Sequence, residues 1–399
     1  VPRIPTMAID REGRQFRLLT IHCVLWSLAT SLASGFVGAY LLHLGFSVAT
    51  TILLYALLLG VRFGMRAIML PAVRRLGMRN AMLLGTAIAA FQFLPLVHAD
   101  RLPWLAAWIL IVSAGECIYW PICHAANAVC GGGGRRGQQI AVRQMASTAI
   151  SVIGPVAGGI LLSRLGPWAE FGIATVVCLV STTPLLWVGE LDLGVVPTIR
   201  RSLQVADPVG LFAFAADGWM SAGLVIAWPM ILFSTLNSSY DLLGWATSTA
   251  AVAGALAGLG CGVAIDRGHR RVLSRGITAA LLVGIALRAA SAWAPNAAFV
   301  ANMAGAAVTG LYLPLLMSVV YDRAKRSGSA YQFHLSTEAG WDAGAILGCV
   351  AAAAVAWSGV PLALAVVPSA LGVLVIHRCV GAESRDMAGS LVASAAVTA

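Results

Sequence analysis

"GVAIDRGHRR", residues 262–271, sets three arginines, a histidine and an aspartate between two apolar tracts, 243–265 and 273–292. Crossing a bilayer as a helix takes about 20 apolar residues, and each tract supplies that length. The quoted stretch therefore reads as a short basic turn joining two membrane spans. Apolar tracts of the same kind recur in both directions from it along the 399-residue chain: 18–42, 48–70, 80–98, 103–127, 140–163, 168–189, 209–234, 297–320, 332–357 and 359–379. The fold class expected is all-α and polytopic, with twelve transmembrane helices.

Composition and charge agree with that reading. The chain is 59% hydrophobic and 11% charged, with a mean hydropathy of +0.85; a soluble domain carries about 25% charged residues. Of the 26 Lys and Arg, 21 fall on the side of the quoted turn when the N-terminus is placed in the cytoplasm. Only Arg101, Arg164 and Arg288 fall in outer loops, while Arg62 and Arg66 lie inside the second span. This asymmetry is the positive-inside pattern of a multi-pass protein with both termini cytoplasmic. The net charge of +10 is thus explained by topology, and no nucleic-acid partner is expected. The first apolar segment is too long for a cleavable signal peptide.

The longest polar connection, "GELDLGVVPTIRRSLQVADP" (189–208), divides the chain near its middle. The expected organisation is a cytoplasmic segment 1–17, a six-helix bundle 18–189, a linker 190–207, a second six-helix bundle 208–380 and a tail 381–399. Shifting the sequence by 192 residues lays Arg75 on Arg267 and Arg79 on Arg271, as a duplicated, pseudo-symmetric half would. The glycine run "CGGGGRRGQQ" (130–139) lacks the Gly-Lys-Ser/Thr that grips a nucleotide phosphate. With no HExxH or GxSxG either, an enzyme is not expected. The eight cysteines are scattered without a CxxC pair, so neither disulfides nor a metal or other cofactor is expected.

At this point the chain resembles a known family. "GVAIDRGHRR" is similar to the signature loop of the major facilitator superfamily, G-x-x-x-D-R-x-G-R-R/K: Gly262, Asp266, Arg267, Arg270 and Arg271 stand in its positions and His269 replaces the usual Gly. The first-half copy, "PAVRRLGMRN" (71–80), keeps Arg75, Gly77 and Arg79 but has Arg74 where the acidic residue belongs. In the fifth span, "GPVAGG" (154–159) resembles the GPxxGG motif of proton-coupled exporters through Gly154, Pro155, Gly158 and Gly159. The resemblance implies two six-helix halves that rock against each other, with Asp266 and the arginines around it as a gating loop. Physical reasons stand beside it: an Asp among arginines forms a charge-assisted latch, and small residues let helices approach closely.

Ionisable side chains inside spans are costly and mark functional sites. "HLSTEAGWD" (334–342) places His334, Glu338 and Asp342 at i, i+4, i+8, a stripe about 12 Å long on one helix face. Glu338 and Asp342 lie deeper than His334, which is expected to be wet. The spans of the second half hold no basic residue beside this stripe, and Asp217 on the seventh span adds a further negative charge. Either some of these carboxyls are protonated or a cation sits among them. Arg62 and Glu116 lie at matching depths on spans two and four and are expected to pair, while Arg66 is expected to reach toward the cytoplasm. Tyr119, Trp120 and Trp341 are expected to shape a pocket, the last by cation–π attraction.

The function expected is proton-coupled secondary transport of a small cationic or amphipathic solute across the bacterial inner membrane, by alternating access and in the direction of export. Glu338, Asp342 and Asp217 are the expected proton or substrate carriers, and the partners are solute, protons and the bilayer, with the protein a monomer. The alternatives are proton-coupled uptake of a small metabolite and export of a divalent metal held by His334, Glu338, Asp342 and His124. Against a metal, the outer two stripe residues stand about 12 Å apart.

Overall fold

The computed structural model describes residues 6–129, 136–202, 204–266 and 270–379, all of whose regular elements are helical. The first half contains α1 (Thr6–His43), α2 (Val48–Ala90), the short α3 (Phe93–Leu96), α4 (Leu102–Val129), α5 (Arg136–Leu165) and α6 (Pro167–Ser181). The connection carries α7 (Ile199–Ser202). The second half contains α8 (Pro208–Ser221) continued by α9 (Trp228–Thr235), then α10 (Tyr240–Asp266), α11 (Arg270–Ala290), α12 (Ala298–Arg326), α13 (Ala330–Trp357) and a last span, Leu362–Cys379. Among the described residues, eight apolar helical tracts are long enough to cross a membrane, and one of them, Val48–Leu96, has 49 residues, long enough to cross twice. With α5, α10 and α11 these make two sets of six.

Two irregularities in the helices have local causes. Helix α2 breaks at Gly77, whose φ of 76° lies in the region that only glycine enters without strain. Between α8 and α9 the helix widens to a π turn, Ala222–Ala227. Pro229 there has no N–H to give to the carbonyl four residues earlier, so the turn before it cannot close normally.

The two halves meet along two unlike seams. On one side α2 and α4 lie against α13, and polar side chains meet there. On the other, α5 lies against α10 through small residues. A Cβ on Gly159 would strike the carbonyl of Tyr240, and one on Gly244 the carbonyl of Pro155. Gly154 and Gly158 instead face α1, at Ser31 and at Leu32 and Phe36. The GPVAGG stretch thus packs its helix both within its own half and across to the other.

The connection between halves is built into the bundle rather than free. After α6, the chain buries Val188, Leu191 and Leu193 in one apolar cluster with Leu70 and Met78 of α2 and Tyr331 and Leu335 of α13. Leu193 O accepts from Tyr331 N at 3.0 Å, and Arg74 donates to Pro197 O at 3.0 Å. Arg79 donates to Leu185 O at 3.1 Å and also to Leu186 O, so it caps the end of the sixth span. Glu190 Oε1 accepts from Met78 N at 3.0 Å, which puts a carboxylate at the start of the helix after Gly77. The carboxylate missing at Arg74 is therefore replaced from the connection, and Arg75 stays exposed. Of the second-half loop, Arg267 lies outside the described residues, as do the side chains of Asp266, Arg270 and Arg271.

Asp207 starts the second half. Its Oδ2 accepts from Gly210 N at 2.9 Å as the α8 cap, and Arg323 grips both oxygens at 2.5 and 2.6 Å. Partial burial pushes the Asp207 carboxyl up, but the bonds from Arg323 and Gly210 outweigh it and hold the group below its ordinary value. A depressed folded value makes the contribution present above about pH 4 and lost as pH falls through that lower value. Asp207→Ala is expected to cost about 1–2 kcal/mol. The check is Tm in detergent: the gap from wild type should be full at neutral pH and should close in strong acid.

Candidate functional site

The site is assembled from two matched helix faces. Arg62 and Arg66 sit four residues apart on α2, and Glu338 and Asp342 four apart on α13, so each pair shares one face of its helix. The ladders meet across the polar seam. Arg62 Nε donates to Asp342 Oδ1 at 2.8 Å, and its Nη2 reaches the same oxygen. Arg66 Nε and Nη2 donate to Oδ2 at 2.8 and 2.7 Å. Asp342, with no solvent exposure, is thus gripped by two guanidinium forks from the other half, the geometry in which such pairs are strongest. Arg62 Nη1 also donates to Glu116 Oε2 at 2.5 Å. Glu338 stands 3.6 Å from Arg66 and 3.4 Å from His124 Nε2.

This arrangement corrects several expectations. The carboxylate stripe is met by basic side chains after all; they come from the first half, nearly 280 residues away in sequence. Arg66 turns inward to Asp342 instead of reaching for the cytoplasm, because the Oδ2 that Arg62 leaves open lies within its reach. The face of Trp341 is already occupied by Arg62, 5.2 Å from the ring centre, so it does not await an external cation. Its Nε1 donates to Asp217 Oδ2 at 2.9 Å, and Tyr312 OH donates to Oδ1 at 2.9 Å. Asp217 therefore forms a second, smaller polar group behind the first.

His334 is not wet: it is fully buried and neither ring nitrogen has a hydrogen-bond partner. Its ring stacks on His124 at 5.5 Å, and His124 stacks in turn on Trp120 at 5.5 Å. Three rings from α4 and α13 thus form a column across the seam, with Tyr321 OH bonded to His124 Nδ1 at 3.3 Å. Tyr119 lies elsewhere, stacked on Trp26 at 4.1 Å inside the first half, with its OH 3.2 Å from His22. Arg288, read as an outer-loop residue, belongs to the last turn of α11, is buried, and lies 5.2 Å over Trp228. The planar guanidinium and indole offset part of the cost of burying that charge.

A cavity of about 330 Å³ opens between the halves among α1, α5, α10 and α12. Thr30, Ser31, Ser151, Thr247 and Asn302 supply its polar lining and Phe36 an aromatic wall; among the described residues no charged side chain lines it. Asn302 is held in place, accepting from Trp228 Nε1 at 2.9 Å and donating to Ala246 O at 2.8 Å. Sequence reading named Asn302 as a pocket residue but missed the rest of this lining and the part played by Arg66. The equal four-residue spacing of opposite charges on spans two and eleven was the available signal.

Two six-helix halves thus meet at a buried charge cluster, and a cavity opens between them. Residues 27–202 match the Major Facilitator Superfamily family model, and solved structures share the fold over 92% of the chain. The human organic anion transporter MFSD10 (TETRAN) superposes with a TM-score of 0.65 at 17% identity, covering 92% of this chain and 99% of that one. The E. coli fucose:proton symporter FucP gives 0.62 at 13%, covering 92% and 98%. FucP in its outward conformation gives 0.61 at 13%, with the same coverage. No curated protein matches by sequence. The first half of the chain thus matches the family model, and the chain shares its all-helical fold with these solved transporters.

Proposed function

We propose that this protein is a proton-coupled secondary transporter, working as a monomer in the bacterial inner membrane with its termini and linker in the cytoplasm. The observation that carries the reading is a charge count at the polar seam. Glu116, Glu338 and Asp342 are three carboxylates on two guanidiniums, Arg62 and Arg66. Asp342 and Glu338 are buried while Glu116 is partly exposed, and the excess carboxylate is what one added proton would balance. Protonating Asp342 removes the negative charge that both arginines grip, and so loosens α2 from α13. Protons and seam opening are therefore linked, and each biases the other by the same free energy.

The hydroxyl-lined cavity is the proposed solute site. It borders the second seam, so solute there and protons at the first seam act on the same motion of the two halves. Its described lining carries no charge, which favours a small uncharged polar or amphipathic solute. The cationic reading loses its basis once the carboxylates are gripped by arginines, and the metal reading loses it with them. Export is the proposed direction, favoured by GPVAGG at the α5–α10 seam.

The test is proton movement on ligand addition to purified protein, screened with polyols, sugars, neutral amphipaths, organic cations, organic anions and divalent metals. An uncharged compound that releases protons from wild type, but not from Glu338→Gln or Asp342→Asn, is the expected result. Binding without proton movement in wild type would defeat the coupling. Proton uptake with the solute would reverse the direction to cotransport.

A further inference from the structure

A buried carboxyl stands apart from everything above. Glu170, in the first turn of α6, has no solvent exposure, and neither of its carboxyl oxygens has a hydrogen-bond partner. It lies at the end of the bundle opposite the linker, where Tyr240 arrives from the second half. Tyr240 is within electrostatic reach of Glu170, and its OH is likewise buried and unpartnered.

The titratable groups on the surrounding elements are engaged elsewhere. On α1, Tyr40 OH donates to Val97 O at 3.1 Å, and His43 lies against the rings of Tyr40 and Tyr240. His22 bonds the far end of α6 at Ser181 O, 2.7 Å away. His98 lies against Trp104 and Trp168, Arg164 at the end of α5 is exposed, and Asp241 accepts from Ser163 at 2.9 Å. None of them donates to Glu170. An ionised carboxylate in that position would be both unbalanced and unsolvated, the costliest way to bury a polar group. A neutral carboxylic acid avoids the charge.

We propose that Glu170 is a second proton-binding site: it holds a proton while the halves are closed over it, and gives that proton to outside water when they part. The bound proton follows from the burial alone; its release rests on the rocking motion proposed above. The moving element is Tyr240, whose carbonyl lies against Gly159 of α5. Parting this seam withdraws Tyr240 and admits water, which stabilises the ionised form.

The test is infrared spectroscopy of the purified protein at neutral pH, reading the C=O stretch of protonated carboxyl groups. Wild type should show a band that is lost in Glu170→Gln and kept in Glu338→Gln and Asp342→Asn, so this site is scored apart from the seam cluster. Equal spectra for wild type and Glu170→Gln would overturn the bound proton. Gly159→Leu should wedge the seam open and remove the same band as Glu170 ionises. Tyr240→Ala, which removes the second-half side chain within reach of Glu170, should do likewise if Gly159→Leu does not elute as a monodisperse species. A band unchanged in the folded wedge variant would overturn release.

Discussion

Asp342→Asn is expected to abolish proton-coupled solute movement and to destabilise the protein by about 3–5 kcal/mol, the cost of stranding buried charges. The effect is large because one carboxylate serves two guanidiniums: its oxygens accept from both Arg62 and Arg66 across the seam. Asparagine keeps the shape, but it offers a single carbonyl oxygen and turns an amide donor toward a cation. Arg66, whose Nη1 has no partner even in the native seam, would then lean on Glu338 alone. A lower thermal midpoint and a flat proton signal are the measurements. The triple variant Arg62→Gln, Arg66→Gln, Asp342→Asn should recover stability without recovering transport, because it removes the stranded charges along with the coupling groups. A single variant as stable as wild type would mean that the two forks do not close on Asp342.

Gly244→Leu is expected to stop the cycle at the other seam by sterics alone. A side chain at this position meets the carbonyl of Pro155 on the facing helix, and backbone on both sides leaves little room to give. Overpacking of this kind costs about 1–3 kcal/mol. Because only the closed seam suffers, that cost appears as a shift of about 5–150-fold toward the parted state. Hydrogen exchange in the first turns of α10 should speed up by that factor, with the rest of the bundle unchanged. Uniform acceleration across both halves would point to global destabilisation instead. The contrast with Asp342→Asn separates the seams: one variant alters proton handling, the other geometry.

Much of the architecture was legible beforehand. Long apolar tracts set the helices and their order, because hydropathy acts on each segment almost independently of the rest. The pairing of Arg62 with Glu116 was legible too, since depth along a span follows from counting residues. Depth alone did not reveal that Arg62 serves Asp342 as well. That depends on how α2 and α13 are rotated about their axes, and rotation is chosen by packing across the whole interface. Local charge failed as a guide for the same reason at His334, whose burial depends on neighbours from other helices.

The sequence by itself determined the spans and the basic loops, and it flagged the carboxylate stripe as too costly to be idle. Only the tertiary structure decided what balances that stripe, where a solute-sized space opens, and that the connection between halves is packed between them. The reason is physical. A span's preference for lipid is a sum over its own residues, whereas the state of a buried charge is set by whichever group stands within about 4 Å of it. In this protein those groups lie nearly 280 positions apart in the chain.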